Sequence, residues 1–418
     1  MAMAISANMS FNLIDTYFVS KLGDTPLAAI SYSFPVVLCL LNFSIGIAIG
    51  TNSVLSRLIG EDKYEQVKSL STIIVILALI VAVIIVSFGI LTIAPLFKLI
   101  GATSEELPYI KDYMLYAYIA MGFRMVSIAV SGTYRAYGIT LIPSLAIAIT
   151  AIMNLILDPI FIFGLLGFPK MGIAGAGLST CIANFCAFAF EFLAAHFKYN
   201  FFGKIKFNHS KLKLKEMLLI TLPASLANTL NPLALNIYNY FLSQDSASKV
   251  AGLGIATRVQ FFSMIPVLAL SAAIGPIVGQ NYGAKKQHRL QETLKILLIF
   301  SLMWGVIQFL ILYFLATNLS SLFSSDQDII SYSSQYISLV SISLGGYSLV
   351  ILSTSCLNAI NKANLSFIII FLRAIGLFLV TYYSLIMLNF KYPVIYAVIF
   401  SNFIAGIFAY NKTKDLIN

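Results

Sequence analysis

Three acidic residues stand inside long apolar stretches of this chain: Asp15, Asp158 and Glu191. A carboxylate at bilayer depth is costly, so each is a candidate for function. Asn154 precedes Asp158 by four residues, one turn away on the same helix face. Pro159 follows directly, and it lacks the N–H that would bond the carbonyl of Leu155. Thr180 comes from the next apolar stretch. Two carboxylates, an amide, a hydroxyl and a loosened carbonyl suit a hard cation such as Na+, or a proton that loads and unloads. A structural hydrogen-bond network with Asp158 always protonated is the plainer alternative. Glu191 lies near the end of its stretch, close to His196 and Lys198, and is expected to snorkel to the interface or pair there. Arg124 could neutralise a carboxylate, and Arg373 is expected near the inner surface. No other metal-ligating set is expected, and no cofactor beyond the ion itself.

Such residues need membrane-spanning helices to position them. Hydrophobic residues make up 59% of the 418 and charged ones 10%, against roughly 25% charged in soluble domains. The net charge of +10 does not point to nucleic acid, because the basic residues sit in short loops between apolar runs and not on one patch. The lipid bilayer is the partner this implies. Twelve stretches are long and apolar enough to span: 1–20, 32–56, 70–97, 113–134, 143–166, 173–197, 216–242, 252–279, 293–317, 332–357, 364–389 and 392–411. No alternating barrel pattern appears.

The first stretch starts at Met1 and is expected to be an incomplete helix; without a basic n-region or cleavage site it does not read as a cleavable signal. Cys39, Cys181, Cys186 and Cys356 all fall in apolar runs and are expected as small buried hydrophobes.

Loop charge sets the orientation. Lys21, Lys98, Lys111, Lys170, Lys249 and Lys391 fall on one side; Arg124, Arg258 and Arg373 lie within or at the ends of spans; the other Lys and Arg of the 26 fall on the opposite side. The positive-inside rule then places both termini in the cytoplasm of a multi-pass cell-membrane protein. Asp15, about five residues before the end of its span, and Asp158, about 15 residues or roughly 23 Å up its own, both come to the outer half. Thr180, about eight residues down the next span, reaches a similar depth.

Sliding the chain by 223 residues lays Ala28 on Ala251, Gly60 on Gly283, Lys63 on Lys286 and Ala136 on Ala359. The lysine-rich stretch 198–215 lies midway and reads as a cytoplasmic linker between an N-lobe, 1–197, and a C-lobe, 216–418. The expected fold is an all-α integral membrane protein of twelve transmembrane helices in two pseudo-symmetric six-helix lobes. That is a frame for alternating access, with substrate bound between the lobes.

At this point the residues resemble a known family. Asn12-Leu13-Ile14-Asp15-Thr16-Tyr17-Phe18-Val19, closing on Leu22-Gly23 and Leu27-Ala28-Ala29, is similar to the first helix of MATE (multidrug and toxic compound extrusion) transporters, of the MOP superfamily. So is Asn154-Leu155-Ile156-Leu157-Asp158-Pro159-Ile160-Phe161-Ile162-Phe163-Gly164, followed by Gly172-Ile173-Ala174-Gly175-Ala176. Val278-Gly279-Gln280-Asn281-Tyr282-Gly283-Ala284 resembles the second-lobe signature.

The resemblance implies antiport: organic compounds leave as H+ or Na+ enters. NorM-like members use acids in the seventh and tenth spans, where this chain has only Glu216, at the edge of the seventh. The chain therefore resembles the DinF-like branch, whose coupling cluster lies in the N-lobe, which assigns the ion to Asp15, Asn154, Asp158 and Thr180. Members usually carry more apolar sequence, often with a proline, before Asn12. Amphipathic organic substrates and a monomer are expected.

A lipid-linked precursor flippase of the wider superfamily is the alternative, against which twelve spans and few lobe-facing charges count. An intramembrane aspartyl protease would need a Gly-x-Gly-Asp motif that neither Asp15 nor Asp158 has. No Walker glycine loop, metalloprotease histidine pair or nucleophile elbow appears, so no enzyme is expected.

Overall fold

The computed structural model describes residues 17–417, with the side chains of all but 207–210. The described residues form helices and connecting turns, with no strand among them. The helices are α1 (Asp24–Gly60), α2 (Tyr64–Ile100), α3 (Leu107–Ala136), α4 (Leu141–Phe163) and α5 (Ile173–Leu193), the last continued by a π turn over Ala194–Lys198. After α6 (Phe207–Ser243) come α7 (Ala247–Ser263), α8 (Ile265–Gly283), α9 (Gln287–Ser321), α10 (Gln327–Ser341) and α11 (Leu344–Ala359). Then α12 (Ala363–Phe371) and α13 (Leu377–Met387) flank a second π turn, and α14 (Pro393–Ile417) closes the fold. Ten of these helical segments are each long and apolar enough to cross a bilayer, and α10 with α11 makes an eleventh span. Most of the stretch 1–20 lies outside the described residues.

The chain divides into two compact units, the first ending at Ser225 and the second beginning at Leu226, within α6. In the first, α3 packs on α1, α2 and α5, and α4 packs on α5. In the second, α10 packs on α7 and α9, α11 on α8 and α14, and α13 on α14. Shifted by 223 residues, this is one packing order used twice.

The turns repeat as well. Asp62 and Lys285 take positive φ of 58° and 55°, Gly138 and Asn361 76° and 64°, Leu166 and Asn389 58° and 57°. Lys63 N–H bonds the carbonyl of Leu58 at 3.0 Å, and Lys286 N–H bonds that of Asn281 at 2.9 Å. The outer faces follow the same offset. Leu79, Ile80, Val83, Ile84, Phe88 and Leu91 of α2 are exposed, and so are Leu302, Met303, Val306, Ile307, Ile311 and Phe314 of α9. Apolar stripes of that size, on helices long enough to cross a bilayer, fit a lipid-facing surface.

The copies differ where a helix breaks. The stretch that matches the unbroken α1 is split at Met264 into α7 and α8. Pro266 begins the new helix, and the carbonyl of Ser263 accepts Trp304 Nε1 at 3.1 Å and Gln308 Nε2 at 2.9 Å. Freed backbone inside a membrane must find such partners. The equivalent positions in α2 are Val81 and Ile85, which donate nothing, and α1 stays whole. The stretch 332–357 likewise bends by 61° between α10 and α11, where Asn402 Nδ2 donates to Ser343 Oγ at 3.0 Å.

Of the cysteines only Cys356 is buried; Cys181 and Cys186 are half-buried and Cys39 is exposed. The expectation of four buried thiols therefore fails for Cys39, because an exposed apolar residue of a membrane helix can face lipid as readily as protein.

Close helix approach rests on small residues, as is usual in membranes. A Cβ on Gly406 of α14 would stand 2.5 Å from the carbonyl oxygen of Gly346 in α11. Gly406→Leu is therefore expected to cost about 1–3 kcal/mol of stability. The check is the thermal midpoint in detergent, read by a thiol-reactive dye on the buried Cys356. An unchanged midpoint would reject this contact as a stability determinant.

Candidate functional site

Asp158 lies in α4, five residues before its end, and is 0% exposed, as is Asn154 one turn earlier. Two features bring α5 to them. Gly164 ends α4 in the left-handed region at φ 76°, and Met171 and Gly172 N–H groups then bond the carbonyls of Phe161 and Ile162 at 3.0 and 3.2 Å. The chain thereby returns alongside α4. Gly175 lets it stay close, since a Cβ there would sit 2.6 Å from the Phe161 backbone.

The result is a pair of cross-helix bonds. Ser179 Oγ donates to Asp158 Oδ1, and Asn154 Nδ2 donates to Thr180 Oγ1 at 3.1 Å. Thr180 is held in turn by Asn184 Nδ2, which donates to its carbonyl at 2.8 Å. Adjacent residues on a helix point about 100° apart, so Ser179 and Thr180 reach different partners on α4. The sequence reading named Thr180 and passed over Ser179. The signal available was the Ser-Thr pair itself, whose register against Asp158 depends on the Gly164–Gly172 loop.

Two oxygens find no partner among the described residues: Asp158 Oδ2 and Asn154 Oδ1 are both buried and accept no hydrogen bond from them. Among the described residues no Lys or Arg forms an ion pair with Asp158. Burying polar oxygens unpaired costs of the order of 1–3 kcal/mol each. A proton on Asp158, or a small cation held by carboxylate, amide and hydroxyl oxygens, would relieve that cost. Asp15 lies outside the described residues, so the structure joins three of the four expected residues and adds Ser179.

Glu191 departs from its expected place. It does not snorkel: it is 1% exposed inside α5. Ser127 Oγ donates to Glu191 Oε2, Ser131 Oγ donates to Oε1 at 2.6 Å, and Tyr134 Oη donates to its backbone carbonyl at 3.0 Å. Arg124 and Arg135 act on it electrostatically. Ser127 and Ser131 are four apart on α3 and so present a fork to one carboxylate; an acid so clamped gains nothing by reaching for water. The serine spacing was visible in the sequence, but the pairing of α3 with α5 was not.

Arg373, expected near the inner surface, lies ten residues into the span Ala363–Met387.

Comparisons with known proteins agree with this architecture. A family model described as MatE matches residues 1–160 and 223–384. A protein described as an FAD transporter, from Shewanella oneidensis, is 33% identical over 373 residues, 89% of this chain and 82% of that one. The multidrug export protein MepA of Staphylococcus saprophyticus is 24% identical over 324 residues, 77% and 70% of the two chains. A crystal structure of the Vibrio cholerae MATE transporter VcmN in the bent form superposes with a TM-score of 0.93 at 28% identity, covering 100% of this chain and 95% of the other. The duplicated helical units, the apolar stripes and these matches converge: the chain belongs to the MatE family of multi-pass membrane transporters.

Proposed function

We propose that this protein is a secondary active exporter of organic compounds, working by alternating access in antiport with H+ or Na+. The observation that carries the reading is the pair of buried oxygens on Asp158 and Asn154 that have no partner among the described residues. An ionised Asp158 enclosed without a counter-charge is unfavourable in a low-dielectric interior. A conformation that encloses the site therefore favours the ion-loaded form, and one that opens it to water tolerates the empty form. By linkage, ion and substrate need only prefer opposite conformations to be coupled. One charge moving down about 100 mV supplies about 2.3 kcal/mol, which corresponds to roughly a fiftyfold bias in a two-state equilibrium.

The roles follow from placement. Asp158 carries the proton or cation, with Asp15 as the expected second carboxylate. Asn154 and Thr180 supply neutral oxygens, and Ser179 positions the Asp158 carboxylate. Cell-membrane location with cytoplasmic termini follows from the loop charges, and a working monomer is proposed. For substrate, MepA supports a broad set of amphipathic compounds, while the Shewanella relative supports a flavin dinucleotide. FAD is the reading favoured here, on the charge found in the second unit and described below.

In proteoliposomes, gradient-driven efflux by Asp158→Asn is expected to fall at least a hundredfold, to the level without a gradient, while the thermal midpoint stays within a few degrees. Asp15→Asn should behave alike, and Asn154→Ala should lose about tenfold. Undiminished gradient-driven transport in Asp158→Asn would remove the site from the mechanism.

Applying a pH gradient and a Na+ gradient separately identifies the ion. Transport driven by one and not the other is expected, and equal transport with neither would reject antiport.

A further inference from the structure

The second unit carries an arginine well inside a span, and its surroundings are those of a binding site. Arg373 is ten residues from the start of the 25-residue span Ala363–Met387, about 15 Å deep at 1.5 Å per residue. It sits in the π turn Leu372–Gly376. The carbonyl of Ala374 in that turn accepts Tyr238 Oη at 3.0 Å. Arg373 Nη2 donates to Asn231 Oδ1 at 2.9 Å, and its Cζ lies 4.2 Å over the ring centroid of Tyr347. Asn231 and Tyr238 belong to α6 beyond Leu226, and Tyr347 lies just past the α10–α11 bend. Two other spans of the unit, α6 and α11, thus meet at one guanidinium.

None of these partners neutralises it. Among the described residues no carboxylate pairs with Arg373. The acids of the second unit, Asp245, Glu292, Asp326, Asp328 and Asp415, all lie at helix ends. Arg373 is only half-buried, and Asn231 beside it is exposed. Nor is the charge inherited from the duplication. Shifted by 223, Arg373 falls on Thr150 of α4, whose hydroxyl merely donates to the carbonyl of Ala146 at 3.1 Å. A cation kept inside a span without a counter-charge marks a ligand pathway. Stacking on Tyr347 and the bond to Asn231 fix the plane of the guanidinium and leave other N–H donors for a bidentate acceptor.

We propose that Arg373 anchors the phosphate of an aromatic substrate in the second unit, with Asn231 and Tyr347 setting the orientation of the guanidinium. The inference rests on the exporter reading and narrows its substrate to phosphate-bearing aromatic compounds, of which FAD is one. The bare flavin lacks the anchored group. An anionic lipid headgroup offers the same phosphate chemistry, so the test separates the two.

The experiment is equilibrium binding by flavin fluorescence, with the protein in phosphatidylcholine nanodiscs and no ion gradient. Wild type should bind FAD more tightly than riboflavin. Arg373→Gln should weaken FAD at least tenfold and leave riboflavin within twofold, with Arg373→Lys between. Asn231→Ala, which keeps the charge, should weaken FAD about threefold and stands in if Arg373→Gln fails to fold. Adding phosphatidylglycerol to the discs should leave FAD affinity within twofold. The proposal is overturned if wild type does not bind FAD by about 1 mM, the upper end of ordinary substrate affinities, or if the arginine variants bind FAD as wild type does. It is also overturned if Arg373→Gln alters phosphatidylglycerol retention and not FAD affinity. Because binding needs no gradient, a protein that binds FAD through Arg373 and fails to transport would reject the antiport reading alone.

Discussion

Hydrocarbon offers no hydrogen bonds, and much of this structure follows from that. Backbone groups close on themselves in helices, and apolar side chains turn outward as readily as inward. Polar groups must then find partners within the protein. The carbonyl of Ser263, freed at the α7–α8 break, is met by Trp304 and Gln308. Ser320 donates to Ser333 at 2.9 Å, and Asn402 to Ser343. Three charged side chains meet the constraint differently. Glu191 is clamped by serines near two arginines, Arg373 is stacked on a tyrosine, and Asp158 is held by one serine and left one oxygen short.

Those differences separate structure from chemistry. A carboxylate with both oxygens satisfied, as in Glu191, is stable where it is and ties α3 to α5. A carboxylate with an unsatisfied oxygen beside an unsatisfied amide is stable only when something else arrives. The same logic applies to an arginine whose neighbours orient its charge without cancelling it. Function is read here from incomplete satisfaction, not from the presence of a charge.

Duplication supplied the scaffold twice and left each copy free to diverge. Turns, packing order and lipid-facing stripes are shared at one offset. The first unit keeps whole helices and an acid in α4. The second breaks two of its spans, adds a π turn and carries a base in the span that corresponds to α4. At the α7–α8 break Trp304 and Gln308 serve freed backbone, and their counterparts Val81 and Ile85 in the unbroken copy donate nothing.

The apolar runs, the 223-residue repeat and the i, i+4 pairing of Asn154 with Asp158 were legible in the sequence. They depend on length, local periodicity and composition, which a chain carries without reference to its neighbours. Tertiary structure decided the rest. Whether Ser179 or Thr180 meets Asp158 depends on a loop that sets one helix against another by a fraction of a turn. The burial of Glu191 depends on which helix lies opposite, and Ser127 and Ser131 had no stated partner until α3 met α5. The company of Arg373 depends on Tyr347 and Asn231, which come from other spans. Sequence determines what a helix can present; only packing determines what is presented to it.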